Sequence, residues 1–213
     1  MINEKIYTSY LSSLLSGNKK ECTYITRELL DQNISIYDLY INLFQRSMYQ
    51  IGKLWETNKI SVAVEHMATL IIEGLLNLLY PQIFSAEHIG KSAIVSCVPN
   101  EFHQLGAKMV ADIFELNGWD GFFLGANTPS IELLQLIDEK KPDLLALSMS
   151  IYFNLPALKE TIQKVQTNYP QLDIIVGGQG LLECGKDIVS EYSDVSYVDS
   201  LIKLEQLIRK ISS

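Results

Sequence analysis

Hydrophobic positions along the chain keep two different rhythms. Up to about residue 84, apolar side chains recur at helix-like intervals, four being the commonest: Ile6, Tyr10 and Leu14; then Tyr24, Ile25 and Leu29; then Leu39, Leu43, Tyr49 and Leu54. That is the period of a helix with one buried stripe. The interruptions fall on residues that stop or start helices. Gly17 and Asn18 separate two of the runs, and Ser35 and Ser61 precede the next two. Each of these polar side chains has an oxygen able to accept from a first-turn amide. The pattern predicts four helices, at about 3–16, 18–32, 36–57 and 62–80. Short links between them imply an up-down bundle.

Beyond residue 90 the rhythm changes. Short β-rich runs, "SAIVSCV" (92–98), "GFFLG" (121–125), "LLALSMS" (144–150), "LDIIVGG" (172–178) and "VSYV" (195–198), alternate with helical patterns. The helical patterns lie at about 103–117, 130–140, 155–168, 181–190 and 200–211. Strand–helix alternation of this kind predicts an α/β domain, a parallel sheet with helices on both faces. Five strands and five helices fit a flavodoxin-like (Rossmann-like), doubly wound five-stranded sheet. Two domains follow, 1–84 and 90–213, with the linker inside "PQIFSAEHIG" (81–90). Doubly wound sheets bind ligands beyond the carboxyl ends of their strands.

Composition narrows the function. A chain of 213 residues that is 47% hydrophobic can bury a full core. Its net charge of −8 argues against its gripping a phosphate backbone by itself, which needs a basic face, so direct nucleic-acid binding is not expected. Cys22, Cys97 and Cys184 are odd in number and lack metal-ligand spacing, which indicates reduced thiols in a cytoplasmic protein. The opening "MINEKIYTSYLSS" has no long apolar run, and no stretch of about 18 apolar residues is free of charge. Neither a signal peptide nor a membrane span is expected.

Candidate chemistry collects at the predicted strand ends. One of only three histidines, His103, follows the first strand. Glu101, two residues before it, can take the proton of one ring nitrogen, as the carboxylate behind a metal-bound histidine does. Gly106 removes a side chain where something must pass close to the backbone. Ser148 and Ser150 stand at the end of the third strand, and Gly177, Gly178 and Gly180 at the end of the fourth. A lone histidine at a helix start is commonly a capping or solvated residue, and a Gly-Gly pair commonly only a turn. Their coincidence at one edge describes a crevice for a ligand with a metal at one end and a long tail.

The set Glu-x-His-x-x-Gly, followed by Ser-x-Ser and then Gly-Gly, resembles the cobalamin-binding domain. The usual form of the motif has Asp where this chain has Glu101. The resemblance implies that cobalamin binds with its dimethylbenzimidazole base off the cobalt. It makes His103 the metal ligand and Glu101 its orienting partner. Gly106, Ser148, Ser150, Gly177 and Gly178 then line the slot for the nucleotide tail. The longer arm of Glu101 is expected to keep the charge but blur the hydrogen bond.

In the helical half, Trp55 is followed, after nine intervening residues, by Glu65 and His66. Taken alone, these read equally well as core tryptophan and solvated helix start. With "IGKLW", "ISVAVEHMAT" and "HQLGAKMVADIFELNGWDGFFLGANTP", the spacing resembles light-sensing, adenosylcobalamin-dependent transcriptional repressors and their free-standing relatives. That resemblance runs from about residue 5 to 205. It implies that the bundle caps the upper face of the cofactor and that Trp55, Glu65 and His66 surround the adenosyl group. Two departures stand out. The sequence shows no helix-turn-helix ahead of the bundle, so none is expected, and Glu56 follows Trp55 where the photoreceptors carry a second cobalt-binding histidine. His88, in the linker, reads as merely solvated.

The resulting expectation is a non-enzymatic cobalamin sensor, a light-responsive photoreceptor in the reading preferred. It would take adenosylcobalamin, or else methylcobalamin. It would act through a separate transcription regulator or as a homo-oligomer. The alternative is a corrinoid methyl carrier of a methyltransferase system. An isomerase small subunit, which needs a substrate barrel, and a flavodoxin-like domain without cofactor rank below both.

Overall fold

The structure, a computed structural model, describes residues 2–212. The chain divides into two compact units, Met1–Ile83 and Phe84–Ser213.

The first unit is built from four helical rods. They are α1 (Glu4–Leu15), α2 (Lys19–Asp31), a rod running from α3 (Ile36–Leu39) through a π-helical turn (Tyr40–Gln45) into α4 (Arg46–Glu56), and a rod beginning with α5 (Val62–Leu76). The last rod continues through a 3-10 turn (Asn77–Leu79) into α6 (Tyr80–Ile83). The caps are those the sequence suggests: Asn18 accepts from Glu21 N, Ser35 from Asp38 N and Ser61 from Val64 N. Gly17 turns the chain at φ +72°, and a side chain there would meet the Met67 sulfur.

Two expected core aromatics lie outside the core. Tyr24 is exposed because the buried stripe of α2 runs Cys22, Ile25, Thr26, Leu29. Tyr49 is exposed because, six residues beyond Leu43, it falls off the buried stripe at about 3.6 residues per turn. The buried face of α4 is Ser47 and Ile51. The rod Val62–Ile83 is long and apolar enough by length and composition to cross a membrane. It contains Glu65 and Glu73, and its α5 segment packs against α1, α2 and α4, as a central bundle helix does.

The second unit is a five-stranded parallel sheet ordered β2-β1-β3-β4-β5. The strands are β1 (Ser92–Cys97), β2 (Asp120–Gly125), β3 (Leu144–Ser148), β4 (Asp173–Gly177) and β5 (Val195–Tyr197). The helices α7 (Leu105–Leu116), α8 (Ser130–Lys140), α9 (Leu155–Asn168), α10 (Gly185–Val189) and α11 (Leu201–Ser212) connect or follow them. β1 and β3 are buried along nearly their whole length, as central strands between two helical layers must be. The helix expected at 181–190 is shorter: a 3-10 turn (Gln179–Leu181) precedes α10. After β1 the chain moves to one side of it, to β2, and then returns to the other, to β3. That reversal is the topological switch point, with a crevice at the carboxyl ends of β1 and β3.

Candidate functional site

The loop between β1 and α7 carries the chemistry. It turns at Asn100, whose φ of +67° is in the left-handed region that asparagine tolerates. Glu101 follows, fully buried. One carboxylate oxygen, Oε1, accepts from His103 Nδ1 at 2.6 Å and from the His103 backbone N–H at 2.9 Å. The backbone bond holds His103 in the loop, so α7 begins at Leu105 and not at the histidine.

The other oxygen reaches across the switch point. Oε2 accepts from Ser150 N at 2.8 Å, Ile151 N at 2.9 Å and Asn154 Nδ2 at 3.1 Å. The expected blurring is therefore overturned. The extra methylene lets one carboxylate serve the histidine and the loop after β3 together. Burial pushes the Glu101 carboxyl up. The bonds from the His103 side chain and backbone, and from the Ile151 and Ser150 amides, outweigh it and hold the group down at about 2.

Asparagines brace this carboxylate, and the sequence reading missed them. Asn154 also donates to Asn100 O at 3.2 Å. Asn100 N donates to Asn127 Oδ1, and Asn127 N to Glu101 O, each at 2.8 Å. Asn127 is itself left-handed, at φ +49°. The clue was present in "GANTP" (125–129), a turn sequence at the end of β2.

The expected slot residues occupy the same edge. Ser148 ends β3, paired with Cys97 of β1 and Gly177 of β4, and Ser150 lies beyond it in the loop. Gly106 is exposed in the first turn of α7, with open space where a side chain would be. Gly178, at φ +109°, has a different setting: a Cβ there would sit 2.4 Å from Met149 O. Its bare backbone lets the loops after β3 and β4 touch, and Gly180 N donates to Met149 O at 3.1 Å.

In the first unit, Trp55 is exposed on the last turn of α4, and Glu65 and His66 lie in the opening turns of α5. Glu65 is largely buried and accepts from Thr69 Oγ1 at 2.9 Å. The His66 ring faces solvent, its Nε2 3.5 Å from Glu65. His88 is not simply solvated: its Nδ1 is 2.8 Å from Asp120 Oδ1, at the start of β2.

The donor set restricts what can bind. Glu101 fixes the half-exposed His103 ring with Nδ1 toward the carboxylate, so the lone pair for a metal belongs to Nε2. Among the described residues no group of three or more His, Cys, Asp and Glu side chains gathers to hold an ion. A single imidazole suits a metal whose other positions are already filled, as in a macrocycle.

Residues 91–211, more than half the chain, match the B12 binding domain, and residues 6–80 match a second B12 binding domain. The chain is 26% identical over 132 residues to the HTH-type transcriptional repressor CarA of Myxococcus xanthus, a match covering 62% of this chain and 46% of the repressor. It is 23% identical over 131 residues to monomethylamine corrinoid protein 1 of Methanosarcina acetivorans, covering 60% of each. The matches thus span about half to three-fifths of these relatives' lengths. In fold it resembles the monomethylamine corrinoid protein of Methanosarcina barkeri over 99% of this chain and 100% of that one, with a TM-score of 0.85 at 14% identity. A histidine prepared for a metal that arrives already chelated is accounted for by this kinship: the chain belongs to the B12 binding domain family, and its cofactor is a cobalamin.

Proposed function

We propose that this chain is a cobalamin-dependent sensor that takes adenosylcobalamin and signals through a protein partner or a second copy of itself. The observation that carries the reading is the trio Trp55, Glu65 and His66, on neighbouring ends of α4 and α5, with the indole and imidazole exposed. Such a trio suits a captive upper ligand better than an open face visited by methyl donors. His103 would hold cobalt through Nε2, and Glu101 keeps the ring in that tautomer. Gly106, Ser148, Ser150, Gly177 and Gly178 are assigned to the nucleotide tail, and the helical unit, residues 1–84, to the cap. The bound cofactor supplies a light-sensitive cobalt–carbon bond. A ligand shifts a conformational equilibrium only by binding its two states differently, and a bulky group against Trp55 provides such a difference. The net charge of −8 suits a basic partner.

Corrinoid methyl carriage is the second reading, favoured by the full-length fold likeness to a monomethylamine corrinoid protein. One experiment separates the two. The purified protein is loaded with adenosylcobalamin in the dark, and its visible spectrum is recorded before and after green light, with His103→Ala alongside. A bound spectrum that His103→Ala alters, with photolysis that changes the oligomeric state, supports the sensor. Photolysis no different from that of free cofactor, with ready loading by methylcobalamin, supports the carrier.

A further inference from the structure

Exposed apolar side chains are unevenly distributed over the second unit. Its exposed large hydrophobics are Phe84, Ile89, Phe102, Ile131, Ile151, Tyr152, Phe153, Leu182 and Ile202. Only Phe84 and Ile89, which precede β1, lie outside the loops and helix starts that follow the carboxyl ends of the strands. An apolar concentration at one edge marks a surface that something covers. It is densest around the histidine. Phe102, between Glu101 and His103, is 68% exposed, and Phe153 is 90% exposed.

These aromatics are not loosely held. Ile151 N donates to the same carboxylate that holds the His103 ring, so one group separates the two. Tyr152 and Phe153 follow within two residue steps of about 3.8 Å each. Asn154 then pins the end of the segment to Glu101 Oε2 and Asn100 O. Exposed aromatics carried on a backbone fixed at both ends, beside the histidine proposed to hold the metal, form a prepared contact surface.

Accepting His103 as the ligand at the centre of a flat macrocycle, the ring must extend over whatever surrounds that histidine. We propose that Phe102, Tyr152 and Phe153 form an apolar collar against which the edge of the corrin rests, and that this collar sets much of the affinity for the cofactor. Aromatic side chains on a pinned backbone offer a large contact area with only two side-chain torsions each to order.

The test uses the whole protein and hydroxocobalamin. Phe153→Cys is labelled with a maleimide with and without bound cobalamin, and the modified peptide is identified by mass spectrometry. Retention of cofactor is checked by its visible spectrum after gel filtration. Strong protection of position 153 is expected. In parallel, Tyr152→Ser and Phe153→Ser should each weaken binding by about ten-fold while leaving the saturated spectrum unchanged. Equal labelling with cobalamin bound, or unaltered affinity in both serine variants, overturns the collar. His103→Ala separates this outcome from the ligand assignment. If that variant alters the bound spectrum while position 153 stays unprotected, the collar fails and the ligation stands. If it leaves the spectrum unchanged while position 153 is protected, the ligation fails and the collar stands. A protein that retains no cobalamin overturns both.

Discussion

Replacing Glu101 by glutamine should destabilise the cofactor-free protein by about 3 kcal/mol at neutral pH, and two routes lead to that magnitude. The first is linkage. Holding a carboxyl at about 2, against an ordinary 4.5, corresponds to about 3 kcal/mol in favour of the folded, ionised state. The second is hydrogen bonding. Oε1 faces two donors from His103, and Oε2 faces Ser150 N, Ile151 N and Asn154 Nδ2. A glutamine amide has one accepting oxygen, so one of these groups must meet an NH2. If the oxygen serves the β3 loop, His103 can change tautomer but its backbone N–H is orphaned, at about 1–3 kcal/mol with the lost charge assistance added.

The sign of the pH dependence follows from the depressed value. The contribution is complete above the unfolded value of 4.5 and is lost as the pH falls through 4.5 toward 2. The difference between wild type and Glu101→Gln should shrink from about 3 kcal/mol at pH 7 to about 1.5 kcal/mol at pH 3. Urea unfolding, followed by the fluorescence of the buried Trp119 in a Trp55→Phe background, measures it at both pH values. Other carboxylates titrate in both proteins and cancel in the difference. A gap below 1 kcal/mol at pH 7, or one that is equal at the two pH values, would refute the account of Glu101.

Asn154→Ala removes donors to Glu101 and to Asn100 O and should cost about 1–2 kcal/mol in the same assay, with Asn154→Asp costing more because it sets a second carboxylate against Glu101. Gly178→Ala should destabilise by more than 3 kcal/mol or prevent folding, since it combines a φ of +109° with a backbone oxygen 2.4 Å from the new carbon; purified yield and urea midpoint would show it. Cys22 and Cys97 should resist iodoacetamide at pH 8 in the native protein. Burial pushes both thiols up, to about 11 for Cys22 and about 12 for Cys97, while the less buried Cys184 reacts first, as peptide mapping would report. By contrast Arg46→Ala, which removes the exposed pair with Glu4 and the guanidinium stacked over Tyr7, should shift the thermal melt less than any of these substitutions, because water and salt screen an exposed pair.

The order of elements was legible because each local signal agreed with the fold. Ser35 and Ser61 cap the helices they precede, and α8 and α9 span the residues that their periodicity marks. Legibility failed where a feature depends on contacts distant in sequence. The π turn at Tyr40–Gln45 leaves no mark in a pattern of apolar positions. Glu101 and His103 could be paired from their spacing alone. Asn154 could not, because its partner lies 53 residues away and is reached only once β3 lies beside β1. Gly178 was legible as special, though its immediate constraint is the backbone of Met149 and not a ligand.

The glutamate at position 101 has a consequence for how binding could be communicated. Its two oxygens divide between His103, the proposed cobalt ligand, and the amides of the loop that carries Tyr152 and Phe153. If His103 ligates cobalt, a displacement of its ring would reach the loop after β3 through this one carboxylate. A shorter aspartate, placed to reach the histidine, would have less reach toward Ser150 N and Ile151 N. Glu101→Asp should therefore bind cobalamin through His103 yet uncouple the β3 loop. In hydrogen exchange, the amides of Ser150 and Ile151, protected by Glu101 in the parent protein, should exchange at least ten-fold faster in this variant, with the spectrum of bound cofactor little altered. Unchanged exchange at these two amides would mean that the loop is held by its own contacts, and that the carboxylate serves the histidine alone.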